Sequence, residues 1–174
     1  MPRQFVFPPA LRWDELAAYH QDVVDALHLY FSPVAPTFAV RFVGRTQDEV
    51  RRELASRVDE SDLRSALAVL TSLEAGFRID FDFRCQNRLK DGLSRHFREL
   101  AKSRGEKVPL DDILEAWKEH GPYPATVSEL RGAFKFRHWL AHGRLGEPKL
   151  GRRYDFFGVH LMARSIIAAF PFEA

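Results

Sequence analysis

Leu63, Leu67, Leu70, Phe77 and Phe81 recur at steps of four, three, seven and four residues. That spacing puts all five side chains on one side of an α-helix, whereas a strand would repeat every second residue. Ser61 stands ahead of the stripe as an N-cap and predicts a helix running to about Phe83. Helix signals of the same kind fill the rest of the chain. "PPALRWDELAAYHQDVVDALHLYF" opens with prolines and acids and stops at "SPVAP". Thr46 and Glu49 form a capping box that starts a helix to about Val58. "NRLKDGLSRHFRELAKSR", "LDDILEAWKEHG", "TVSELRGAFKFRHWLAHG" and "YDFFGVHLMARSIIAAF" follow, the third with a capping box at Thr126 and Glu129 and a C-terminal Gly143. "PTFAVRFVGR" is rich in β-formers but has no second such segment to pair with, so it is expected as an extended connection. The expected fold is all-α, a helical bundle of six or seven helices in a single domain spanning 1–174.

Composition narrows the setting. Hydrophobic residues make up 45% of the chain and charged residues 29%, which excludes a disordered chain. The lone Cys85 has no partner for an intrachain disulfide and reads as a small apolar residue in a reducing compartment. The N-terminus has no apolar signal region, and no stretch reaches the ~20 apolar residues of a membrane span, so a cytoplasmic location away from the membrane is expected. The net charge of +2 conceals an uneven distribution. Arg84 to Lys107 carries eight Lys or Arg against three Asp or Glu, and Arg131 to Arg153 carries seven against one. Of the 26 basic residues 20 are arginine, whose planar fork suits phosphate. The pattern fits either an anionic partner such as nucleic acid or simply solvated helix faces.

Two charges stand where a helix should be dry. Stepping 100° per residue from Val127, the apolar positions Leu130, Ala133, Phe134, Leu140 and Ala141 centre near about 280°, and Arg137 falls in their midst. His138 and His142 lie at the rim of that face. In the stripe after Ser61, Glu74 is likewise central and Arg78 lies beside it. A buried charge without a partner costs several kcal/mol, so Glu74 is expected to meet Arg137 across a helix–helix contact. Such a pair serves either to fix helix register or to build a site. A histidine at a helix end moves protons near neutral pH, and an arginine stabilises charge building on phosphoryl oxygens. Together they suit attack of an RNA 2′-hydroxyl on its neighbouring phosphorus, which needs no metal. As a rival reading, His138 and His142 are four apart and could bind zinc if a third ligand joined them.

"RHWLAH", Arg137 to His142, resembles the signature of the HEPN superfamily, an arginine followed four to six residues later by a histidine, often with a polar residue directly after the arginine. At the level of fold the resemblance covers most of the chain, and its specific part is residues 134–144 with 74–80. In ribonucleases of that family the motif arginine and histidine are the catalytic pair, here Arg137 and His142. The resemblance makes His138 and Glu74 their supports. It implies a metal-independent endoribonuclease without cofactors, acting as a homodimer, and often a toxin or antiviral defence effector restrained by an antitoxin or regulatory protein. The superfamily also contains non-catalytic modules that bind RNA, nucleotide or protein. In one toxin–antitoxin branch a tyrosine two residues after the motif histidine is modified by the antitoxin. Arg144 occupies that position here, which removes that mode of silencing. Arg78, Lys135 and Arg144 are candidate RNA contacts, with the helix C-terminal dipole as the other explanation of Arg144. Trp117 and Trp139 can stack on bases or pack inside, and His96 and His160 are read as histidines without a role.

Overall fold

The computed structural model describes residues 13–105, 107–144, 146 and 154–173. Seven helices follow in order: α1 (Trp13–Tyr30), α2 (Phe38–Arg41), α3 (Gln47–Gln86), α4 (Gly92–Arg104), α5 (Leu110–His120), α6 (Pro124–Ala141) and α7 (Phe156–Ala169). The described residues form an all-α bundle, as expected. The prolines expected to open the first helix lie outside the described residues.

α3 is the spine of the bundle. It runs 40 residues without interruption, where a break near Val58 to Ser61 was expected. Those residues include neither glycine nor proline, and a serine can continue a helix whose neighbours hold it. Glu60 pairs with Arg64 one turn on at 2.8 Å, which supports the stretch. Its start is as expected, with the Thr46–Glu49 capping box fully formed. α1, α4, α5, α6 and α7 all pack on α3. Its buried stripe of Ala66, Val69, Leu70, Leu73, Phe77 and Phe81 meets Phe97 of α4, Trp117 of α5, Leu130 of α6 and Ile166 of α7 in one apolar core. Trp117 is fully buried and is therefore a core residue that no base can reach.

"PTFAVRFVGR" is a short helical turn and not an extended connection. One turn of helix places Phe38 and Phe42 on the same side, with ring centroids 5.0 Å apart, and Phe42 then meets Phe31 at 5.2 Å. These rings and Val50 form a second, smaller cluster beside the start of α3. The start of α6 also differs. Pro124 at its first turn supplies the fixed φ that opens it, and Thr126 lies inside the helix. Its end is as expected: Gly143 has φ 84°, and the Arg144 N–H donates to Trp139 O at 3.1 Å, the six-to-one bond of a Schellman turn.

The C-terminal segment is tied down by buried polar groups. Arg84, 3% exposed, donates from Nε to Asp80 Oδ2 at 2.8 Å, from Nη1 to Ser94 Oγ at 3.2 Å and from Nη2 to Pro171 O at 2.5 Å. The Glu173 N–H donates to Asp80 Oδ1 at 2.8 Å. Phe170 and Phe172 are thereby held against Phe77 and Trp117. Burial pushes the Asp80 carboxyl up, against the pull of the Glu173 N–H and Arg84.

Two glycines give opposite expectations. A Cβ on Gly76, inside α3, would meet nothing within 4 Å. Gly76→Ala should therefore stabilise by about 0.5–1 kcal/mol, read as a rise of roughly 2 °C in Tm. A Cβ on Gly132 of α6 would collide with the hydroxyl of Tyr154, whose buried ring stacks on Phe136. Gly132→Ala should destabilise by about 1–3 kcal/mol in the same melting experiment.

Candidate active site

The site forms where the C-terminal half of α6 packs against the C-terminal half of α3. Phe134 and Leu140 are buried and hold the C-terminal part of α6 against the core. Arg137, between them on the same face, projects its guanidinium onto Glu74, with Nη2 3.1 Å from Oε2. The expected contact is present. The side chains are 29% and 15% exposed, so the pair lies at the edge of the core and not at its centre. The Nε–H of Arg137 is buried and has no hydrogen-bond partner.

Glu74 holds two arginines. Arg78, one turn along α3, donates from Nε to Glu74 Oε1 at 2.9 Å and from Nη1 to Val108 O at 3.2 Å. Each oxygen of Glu74 therefore has its own cation. Removing Arg137 alone leaves the carboxylate still paired, so the cost of an isolated buried charge does not arise. Beyond Arg78 opens a cleft of about 440 Å³ lined by Phe81, Asp82, Lys107, Val108, Pro109 and Ile113. Asp82 lines this cleft, and partial desolvation raises its carboxyl above the usual range, against the pull of Arg78. Asp82 lies one helical turn after Arg78 on α3, and the fold brings Lys107 to the same cleft.

His138 and His142 are both exposed, and their ring centroids lie 4.1 Å apart at a 44° tilt. His142 caps α6, its N–H donating to His138 O at 3.0 Å. The two rings thus stand together at the open end of the helix that carries Arg137. Lys135 is exposed on α6. Trp139 is partly buried, its indole N–H donating to Gly146 O at 2.9 Å and its ring stacked on Phe136. Among the described residues the grouping of three or more side chains able to hold a metal lies elsewhere, and it includes neither His138 nor His142.

Arg144 has a partner that its sequence position did not suggest. The Schellman turn, with Arg144 itself at φ 57°, swings its guanidinium onto Glu60 of α3. Nη1 and Nη2 lie 2.5 and 3.1 Å from the two carboxylate oxygens. The bidentate bond to Arg144, and then the bond to Arg64, hold the Glu60 carboxyl down to about 2. The residues are 84 apart in the chain, and no local pattern links them.

No protein-family model, curated protein or solved structure matches the chain.

Two measurements test this arrangement. In urea denaturation, Arg137→Ala should cost about 1 kcal/mol, because Arg78 still holds Glu74. Glu74→Ala should cost about 2–3 kcal/mol, because it strands Arg137 at the core edge. Equal losses would show that Arg78 does not share the carboxylate. An NMR titration of Glu60 should give a midpoint of about 2, moving up towards the ordinary value of 4.5 in Arg144→Ala. Because folding lowers this carboxyl, its contribution to stability is present above the unfolded value and is lost as pH falls through about 2.

Proposed function

We propose that the chain is a metal-independent endoribonuclease with Arg137 and His142 as its catalytic residues. What supports this reading is the pairing of Arg137 with Glu74, which fixes a permanent positive charge on α6 directly before His138 and five residues before His142, whose two rings lie 4.1 Å apart. Glu74 and Arg78 position the arginine, and His138 supports His142.

The chemistry follows from these groups. A neutral imidazole takes the proton of the RNA 2′-hydroxyl as its oxygen attacks phosphorus. The P–O5′ bond breaks, and the imidazolium so formed gives its proton to the leaving 5′-oxygen, so the histidine ends neutral. The products are a 2′,3′-cyclic phosphate and a 5′-hydroxyl. Arg137 stabilises the charge on the non-bridging oxygens. In this reading Lys135, exposed on the side of α6 that carries His138 and His142, contacts a substrate phosphate, and Arg78 opens onto the adjoining cleft. Proton transfer by a placed group contributes about 10²–10⁴ in rate. In this reading the protein is cytoplasmic and works as a homodimer that brings two such helix ends together. It serves as a toxin or antiviral defence effector under the control of an antitoxin or regulatory protein.

A second reading is favoured by one feature. The guanidinium of Arg144 is taken up by Glu60 and that of Arg137 by Glu74, which reduces the free positive charge offered to a phosphate. Among non-catalytic modules that bind RNA, nucleotide or a protein, this feature favours the one with a protein partner, which needs no free cation for a phosphate.

The deciding experiment is RNA cleavage in EDTA by wild type and His142→Ala, with analysis of the fragment ends. Cleavage by wild type leaving cyclic phosphates, reduced about 100-fold or more in His142→Ala, is expected. His142 is exposed, so this substitution should leave the melting temperature unchanged. Cleavage by His142→Ala at the wild-type rate would refute the assignment, and no cleavage by either protein would favour the binding module.

A further inference from the structure

Away from that site, His96, Glu119 and His120 bring two imidazoles and a carboxylate together. One ligand atom from each lies within 4.8 Å of the others. His96 projects from the middle of α4, half-buried, while Glu119 and His120 are exposed on the last turn of α5. The two rings face each other with centroids 4.7 Å apart at 43°, and Glu119 Oε2 lies 3.9 Å from His120 Nε2. We propose that this cluster is a zinc site that ties α4 to α5.

Three physical features favour a cation there. First, the donors come from two helices that pack against each other, so a bound ion would staple α4 to α5. Second, the end of α5 is a poor place for a carboxylate. The C-terminal carbonyls already carry the negative end of the helix dipole, and Glu119 adds to it. A cation relieves both. Third, Arg95 and Arg98, on either side of His96, are drawn back to backbone carbonyls just ahead of α4, away from the cluster. Arg95 Nε donates to Lys90 O at 2.8 Å and Arg98 Nη1 to Leu89 O at 2.6 Å.

The donor set selects the ion. Two imidazoles with one carboxylate suit borderline metals such as Zn²⁺, whereas Ca²⁺ and Mg²⁺ want oxygen alone. Tetrahedral zinc, with bonds of about 2.0–2.2 Å, sets neighbouring donors roughly 3.3 Å apart. Closing from 4.8 Å takes only side-chain rotation, which two exposed residues at a helix end can make. Three protein ligands leave the fourth position to water.

The test uses tag-free full-length protein, stripped with a chelator and titrated with zinc chloride by calorimetry, with melting followed in parallel. One equivalent of Zn²⁺ should bind and raise the Tm, and Mg²⁺ should do neither. Loss of an outer-shell partner alone weakens metal sites about 10–100-fold. His96→Ala, Glu119→Gln and His120→Asn should each therefore weaken binding about ten-fold or more. Binding should survive in the double variant His138→Ala/His142→Ala, whose two histidines offer the competing site. Absence of stoichiometric binding would overturn the proposal. So would binding that persists at full strength in His120→Asn, or that disappears in the double variant. Glu119 and His120 are exposed, so their variants keep the test valid even if His96→Ala fails to fold.

Discussion

The helices of this bundle are registered on α3 by polar contacts as well as by apolar packing. His20 of α1 sits buried with Nε2 3.2 Å from Asp62 Oδ1 and Nδ1 3.1 Å from Ser65 Oγ. Arg144, just past α6, meets Glu60, and Arg137 of α6 meets Glu74. Ser94 of α4 and the backbone of Pro171 meet Arg84, and the Glu173 N–H meets Asp80. An apolar stripe alone lets a helix slide along its neighbour by a turn at modest cost. A charge seated at one level of α3 does not, because moving it strands both partners away from water. Forty residues of unbroken helix make that ladder of contacts a common ruler for the other elements.

The contacts differ in what they cost to break. Arg84 and Asp80 are nearly inaccessible, and Arg84 has donors committed to Asp80, Ser94 and the C-terminal backbone. Glu60 and Arg144 are each about one-third exposed, so water screens their pair. Glu74 lies between these extremes, mostly covered but shared between two arginines. That sharing lets the site lose one cation without collapse.

How much could be read from the chain follows from the same distinction. The Glu74–Arg137 contact was legible because each charge stands in the centre of an apolar stripe, and a charge there demands a partner. The Glu60–Arg144 contact was not, since both residues occupy positions where an exposed charge is unremarkable. It depends on the left-handed turn at Gly143 and Arg144, which redirects the chain after α6. The continuity of α3 was hidden by Ser61, whose capping chemistry is local and was outweighed by helix propagation. The helical turn at Phe38–Arg41 was hidden because it is favoured by a cluster of three phenylalanine rings, which β-rich composition does not reveal. The His96–Glu119–His120 cluster was not legible because His96 stands more than twenty residues before Glu119 and His120 and meets them only where α4 packs on α5.

The two candidate sites lie at opposite ends of α5. Arg131 of α6 pairs with Asp111 and Glu115, which fixes the direction in which α6 passes α5. Residues later in α6 therefore run past the N-terminal end of α5, and Arg78, the other partner of Glu74, reaches the carbonyl of Val108 just before that end. His120 stands at the other end of a helix of 11 residues, roughly 16 Å long. A zinc ion there would neither touch the Arg137–Glu74 pair nor compete for its substrate. It would instead hold α4 and α5 together at the end farther from Arg137. Chelation would then loosen that end of the bundle and leave the ion pair on α3 in place.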